Sequence, residues 1–140
     1  MIVVDTSVWI DYFADRSTPH VAYLARCLED DTGIDVCLTD IVLTEILQGL
    51  RTDKDVQRVE EGLEVFEVLR LLDLSDFRRA AALYRSARRQ GVTIRRTSDC
   101  LIAAVCVREQ VALLHAGSDF DHLAKVTDLE IEEVPAPSDD

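Results

Sequence analysis

Short runs of Val, Ile and Leu alternate with longer segments of helical periodicity along almost the whole chain, and this alternation narrows the possible folds more than any other feature. Residues 2–4, 35–38, 68–72, 111–114 and 130–134 read as strands. Residues 6–14, 21–28, 41–50, 55–66, 75–90, 99–108 and 119–126 read as helices. In one of these, Val56, Val59, Leu63 and Phe66 form a single apolar stripe, and Gly91 is placed to end the helix before it. Strands separated by helices can pair in parallel, because a parallel pair needs a long crossover. The expected fold is therefore α/β: a three-layer α/β/α sandwich around a central, mostly parallel sheet. Right-handed crossovers bring the C-terminal ends of the strands to one edge, where open α/β sheets bind ligands.

At 140 residues and 48% hydrophobic content the chain is expected to build one core, in a single domain over residues 1–134 with a solvated tail at 135–140. No apolar run reaches the length a membrane helix needs, and the N-terminus lacks the basic region of a signal peptide. Cys27, Cys37, Cys100 and Cys106 show no paired metal-site spacing and read as small core residues of a cytoplasmic protein.

Most of the 27 acidic residues sit on solvated faces, such as Glu60, Glu61, Glu64 and Glu67, or at a helix end, such as Glu29-Asp30-Asp31. Four stand apart. Asp5, Asp99 and Asp119 each begin a helix, which suits either an N-cap or a ligand to something bound at the sheet edge. Glu45 lies in mid-helix within Ile41-Val-Leu-Thr-Glu-Ile-Leu-Gln-Gly-Leu50, a segment apolar enough to be expected mostly buried. A buried carboxylate needs a cation, either an arginine or a metal ion. A cluster of such carboxylates suits Mg²⁺ or Mn²⁺, hard ions that prefer oxygen ligands and retain water.

The formal charge of −12 argues against indiscriminate nucleic-acid binding, yet it is unevenly distributed. Residues 78–96 hold seven arginines and no acid, a local +7 that leaves −19 for the rest. That segment ends at Arg95 and Arg96, just before Thr97-Ser98-Asp99. Arginine suits bidentate phosphate contacts, although pairing with acids elsewhere on the surface is the plainer alternative.

Four blocks, in order and spacing, resemble the signature of PIN-domain ribonucleases, and more closely VapC toxins of VapBC toxin–antitoxin pairs. They are Ile2-Val-Val-Asp-Thr-Ser-Val-Trp-Ile10, Thr44-Glu-Ile-Leu-Gln-Gly49, Ser98-Asp-Cys-Leu-Ile-Ala-Ala104 and Leu114-His-Ala-Gly-Ser-Asp-Phe-Asp121. The resemblance implies a metal-dependent endoribonuclease acting on structured RNA such as transfer RNA or a ribosomal RNA loop. It places Asp5, Glu45, Asp99 and Asp119 on the acidic positions, as catalytic residues and ligands of Mg²⁺ or Mn²⁺. Thr6 and Ser98 fall where small hydroxyl residues assist, and Arg95 and Arg96 are the neighbouring candidates for substrate phosphates. It also implies a homodimer and a cognate VapB-type antitoxin, together forming a heterotetramer or larger complex. One departure is visible: Ala116 and Gly117 stand where relatives often carry Asn or Asp, which leaves open whether the site holds one metal or two.

Two rival functions follow from the same residues. A catalytically weak module that grips RNA or antitoxin is favoured by the missing acid near Gly117. A phosphoacceptor domain of receiver type would need an acidic pair after the first strand and a lysine after the last. The chain has Thr6-Ser7 and Glu132-Glu133-Val134 there, which counts against it.

Overall fold

The computed structural model describes residues 1–29 and 32–135. The expected tail therefore lies outside the described residues apart from Pro135, as do Asp30 and Asp31 of the acidic helix end. The elements are β1 (Ile2–Val4), α1 (Thr6–Phe13), α2 (Pro19–Leu28), β2 (Val36–Thr39), α3 (Asp40–Gln48), α4 (Asp53–Leu63), β3 (Glu67–Leu69), α5 (Leu74–Arg89), α6 (Thr97–Glu109), β4 (Ala112–Leu114) and α7 (Asp119–Val126). The helix starts follow capping chemistry. Thr18, Thr39 and Thr52 accept the backbone N–H three residues on, and Asp73 accepts that of Ser75. Gly91 lies just past the end of α5 at φ +83°, a conformation that costs glycine little.

The four strands are all parallel, in the order β3-β2-β1-β4. The core is built on β1, whose three residues are all buried, and on α6, in which Ile102, Ala103, Ala104 and Val105 have no exposed surface. The chain leaves β1 toward β2 on one side and returns as β4 on the other, so the strand order reverses between β1 and β4. Crevices at such a reversal are where open α/β sheets bind ligands.

Two expected strands are shorter than their composition suggests. β3 stops at Leu69 because side chains take the next backbone donors: Leu71 N–H donates to Asp40 at 3.1 Å and Leu72 N–H to Asp76 at 2.8 Å. Residues 130–134 contribute one parallel bridge, Leu113 to Ile131, and no full strand. All four cysteines are buried and free, as expected of small core residues. Burial pushes the thiols of Cys37 and Cys100 up to about 11, so neither carries a reactive thiolate.

Candidate active site

Asp5 is the residue immediately after β1. Its Oδ2 accepts the N–H of Ser7 at 3.2 Å and the Ser7 hydroxyl at 2.7 Å, so it does cap α1. The cap and ligand roles are compatible, since capping engages one of its two carboxylate oxygens. Asp99 and Asp119 are not caps. The cap positions belong to Arg96 and Ser118, neither of which makes a side-chain cap bond, and the two aspartates stand in the first turns of α6 and α7. Anionic side chains are favoured there by the helix dipole.

These three aspartates meet in one cleft of about 450 Å³, lined also by Ser7, Arg95, Arg96 and Gly117. Asp119 accepts the backbone N–H and the Nε of Arg95, each at 3.4 Å. Asp99 is half-buried, and its carboxyl is pushed up to about 6. Burial is the largest cause, followed by the charge of Asp5, with Asp119 and Glu45 adding to it and Arg96 opposing. The cleft thus holds more negative charge than its arginines compensate.

Glu45 is less buried than its apolar helix leads one to expect. It is half-buried, because only Val42 and Ile46 of α3 face fully inward. Among the described residues its partners are hydroxyls: Thr6 donates to Oε1 at 3.0 Å, and Ser98 to Oε2 at 3.5 Å. Thr6 and Ser98 therefore hold Glu45 from the first turns of α1 and α6, beside the aspartate cleft and electrostatically coupled to Asp99.

Two further residues organise the site. Ser7 joins Asp5 to the loop after β4, its Oγ accepting Ala116 N–H at 3.4 Å. His115, buried directly after β4, donates from Nε2 to Asp121 at 3.0 Å and accepts Gly117 N–H on Nδ1 at 3.2 Å. It shapes the turn that presents Asp119. Both belong to the sequence blocks quoted above; for His115 the signal was a polar residue at the end of an otherwise apolar strand.

Among the described residues no three His, Cys, Asp or Glu side chains close into a ready-made metal cage. The donor set nonetheless suits a hard divalent cation. It is all oxygen, it is concentrated at one strand edge, and the Asp99 carboxyl is pushed up to about 6 by burial first and then by the charge of Asp5, a repulsion that a cation would relieve. The same carboxylates are held by Ser7 at Asp5, by Thr6 and Ser98 at Glu45, and by Arg95 at Asp119.

A parallel α/β sandwich with acids gathered at the strand-order reversal defines an acidic site suited to a hard cation, and comparison with known proteins gives its family. The PIN domain family model matches residues 2–126, and the chain belongs to that family. A VapC ribonuclease of Mycobacterium bovis and the ribonuclease VapC11 of Mycobacterium tuberculosis are each 37% identical over 131 residues, covering 93% of this chain and 96% of theirs. Among solved structures, VapBC2 from Rickettsia felis, bound to a DNA fragment of its promoter, superposes with a TM-score of 0.74 at 17% identity. It covers 94% of this chain and 98% of that one. FitAcB from Neisseria gonorrhoeae gives 0.73 at 21%, covering 95% and 97%.

Proposed function

We propose that the chain is the toxin of a toxin–antitoxin pair, a Mg²⁺-dependent endoribonuclease that also accepts Mn²⁺ and cleaves structured RNA such as transfer RNA or a ribosomal RNA loop. Residues 1–134 would form its single nuclease domain. The carrying observation is the convergence of Asp5, Asp99 and Asp119 on one cleft, with Asp99 pushed up to about 6 by burial and by its neighbours. The names of the relatives point the same way.

Asp5 and Asp99 would be the principal ligands of the ion. Asp119 would complete the set directly or through water, and Glu45, held by Thr6 and Ser98, would serve a second ion or orient the attacking water. When bound, such an ion supplies positive charge for the phosphate oxygens and makes a nearby water more acidic. Arg95 and Arg96, both exposed at the rim, are placed to take backbone phosphates of the strand being cut. Arg95 would have to exchange its contact with Asp119 for one to RNA. At this distance and exposure that contact is weak.

The decisive experiment is Asp5→Asn. Asparagine caps a helix as well as aspartate does, so the fold should survive. RNA cleavage by the purified chain should fall at least about 100-fold, and growth inhibition on induction should disappear. Full cleavage by this variant, or undiminished cleavage by the native chain in EDTA, would remove the metal-site assignment. A chain that binds RNA but does not cut it with either ion would favour the weak binding module.

The antitoxin would seat in a groove of about 1170 Å³ lined by Trp9, Tyr12, Phe13, Tyr23, Leu63 and Phe66, with Arg16, Arg26 and Arg58 along it. The indole N–H of Trp9 is buried without a hydrogen-bond partner among the described residues. Phe13→Glu places a charge in this apolar surface and should weaken antitoxin binding by about 10-fold or more in calorimetry. An unchanged affinity would place the antitoxin elsewhere. A homodimer is part of the same proposal, and the exposed Leu72, Leu74 and Phe77 offer it apolar surface.

A further inference from the structure

The seven arginines of the basic segment divide into two groups. Arg79 pairs with Asp76 at 3.1 Å, and Arg95 with Asp119 at 3.4 Å; Arg96 lines the cleft. Arg78, Arg85, Arg88 and Arg89 are exposed and form no ion pair among the described residues, in a chain with 27 acids and 15 bases. The Asp73 carboxyl is lowered chiefly by its hydrogen bonds from Ser75, and the charge of Arg78 adds to this without contact.

Helical spacing puts Arg78, Arg85 and Arg89 on one face of α5 within about 40°, with Arg88 beside them. Asp76, Ala80, Leu83 and Ala87 are the buried residues of the same helix and face the core. The stripe is about 17 Å long at 1.5 Å per residue. Its direction follows from one contact. Asp76, at the start of α5, bonds Arg108, near the end of α6. The two helices therefore run antiparallel, so the C-terminal end of α5 lies by the N-terminal end of α6, which carries Asp99. Arg88 and Arg89 are at the cleft end and Arg78 is at the far end.

We infer that Arg78, Arg85, Arg88 and Arg89 form a track for the RNA backbone, leading the substrate along α5 to Arg95, Arg96 and the aspartate cleft. The inference rests on the nuclease reading and adds to it the surface that positions the substrate. Guanidinium forks match phosphate oxygens, and the acidic surface elsewhere repels RNA, so a polyanion is concentrated on this face. The helix dipole offers a purely structural reason for Arg88 and Arg89 in the last turn. It gives none for Arg78 or Arg85, which are away from that end.

The test uses the full-length chain and fluorescein-labelled bulk transfer RNA in EDTA, so that binding is read without cleavage. The triple variant Arg85→Gln, Arg88→Gln, Arg89→Gln should bind about 10–100-fold more weakly at low salt, and the slope of log K against log salt should flatten by about 2. The corresponding Arg→Lys triple variant should keep the native slope, and thermal melts of all three proteins verify the fold. With Mg²⁺ or Mn²⁺ restored, the Gln variant should show a raised KM and an unchanged kcat. Unchanged RNA affinity and salt slope in the Gln variant would overturn the track. So would native RNA binding combined with lost affinity for the co-expressed antitoxin, which would make the stripe a protein contact. Native chain that binds the RNA through this stripe but never cuts it upholds the track and refutes the nuclease reading; cutting with native KM by the Gln variant does the reverse.

Discussion

Asp99→Asn is expected to make the metal-free protein more stable at neutral pH while abolishing its cleavage of RNA. Asp99 has its pKa raised from 3.8 to about 6. A carboxyl raised in the folded state favours folding relative to its ionised form below the unfolded pKa. That advantage is lost as pH climbs through the folded value. Between about pH 4 and pH 7 the native chain in EDTA should therefore lose stability that the Asn variant keeps. Two pH units correspond to about 3 kcal/mol, and partial solvent exposure reduces this to about 1–2 kcal/mol. In Tm the difference is about 3–6 °C at pH 7.5, vanishing near pH 4. Adding Mg²⁺ or Mn²⁺ should raise the Tm of the native chain, because an ion that binds only the folded state stabilises it by mass action. The variant should respond much less, and its cleavage should fall at least about 100-fold. Equal Tm values in EDTA at pH 7.5 would mean that Asp99 is not electrostatically strained. An equal metal response would mean that it is not a ligand.

Asp76→Ala should be the most damaging substitution for stability outside the apolar core. Asp76 is 1% exposed and accepts Leu72 N–H at 2.8 Å, Arg79 Nη1 at 3.1 Å and Arg108 Nη1. Arg108 in turn donates to the carbonyl of Arg70 at 2.9 Å and to Glu109 at 3.0 Å. One carboxylate thus ties the exit of β3 to α5 and α6. Removing it leaves Arg108 poorly compensated and a backbone N–H unpaired, a loss of about 3–5 kcal/mol in the usual range for a broken buried pair. Urea unfolding at constant pH should show a lower midpoint with an unchanged slope. Asp76→Asn, which can still accept from Leu72 N–H, should lose less than Ala. A loss under about 1 kcal/mol for Ala would show that water replaces the network at little cost.

Much of this architecture is legible in the residues alone. The apolar triplet Ile2-Val-Val4 followed by Asp5, and the apolar run 101–107 after Asp99, specify a buried strand and a buried helix with an acid at the same edge. Local chemistry suffices because strand, cap and period are set by near neighbours in sequence. Glu45 shows where such reasoning stops. Its apolar surroundings suggest burial, but how much of α3 faces inward depends on which layer covers it, and that is a tertiary property. The 130–134 segment has strand composition yet pairs at a single residue, because strand length depends on the neighbour's hydrogen-bond partners.

By itself, then, the sequence determined the alternation of elements, the parallel class of the sheet, the edge at which Asp5, Asp99 and Asp119 lie, and the local excess of arginine. Only the tertiary structure decided which charges compensate which. Asp76 takes Arg79 and Arg108, Glu45 takes hydroxyls, and Asp99 is left half-buried beside the charge of Asp5. Residues such as Asp76 and Arg108, 32 positions apart, meet only when two helices pack antiparallel. No local pattern encodes that pairing, because the partner of a charge is chosen by distance in space and by the water that packing removes.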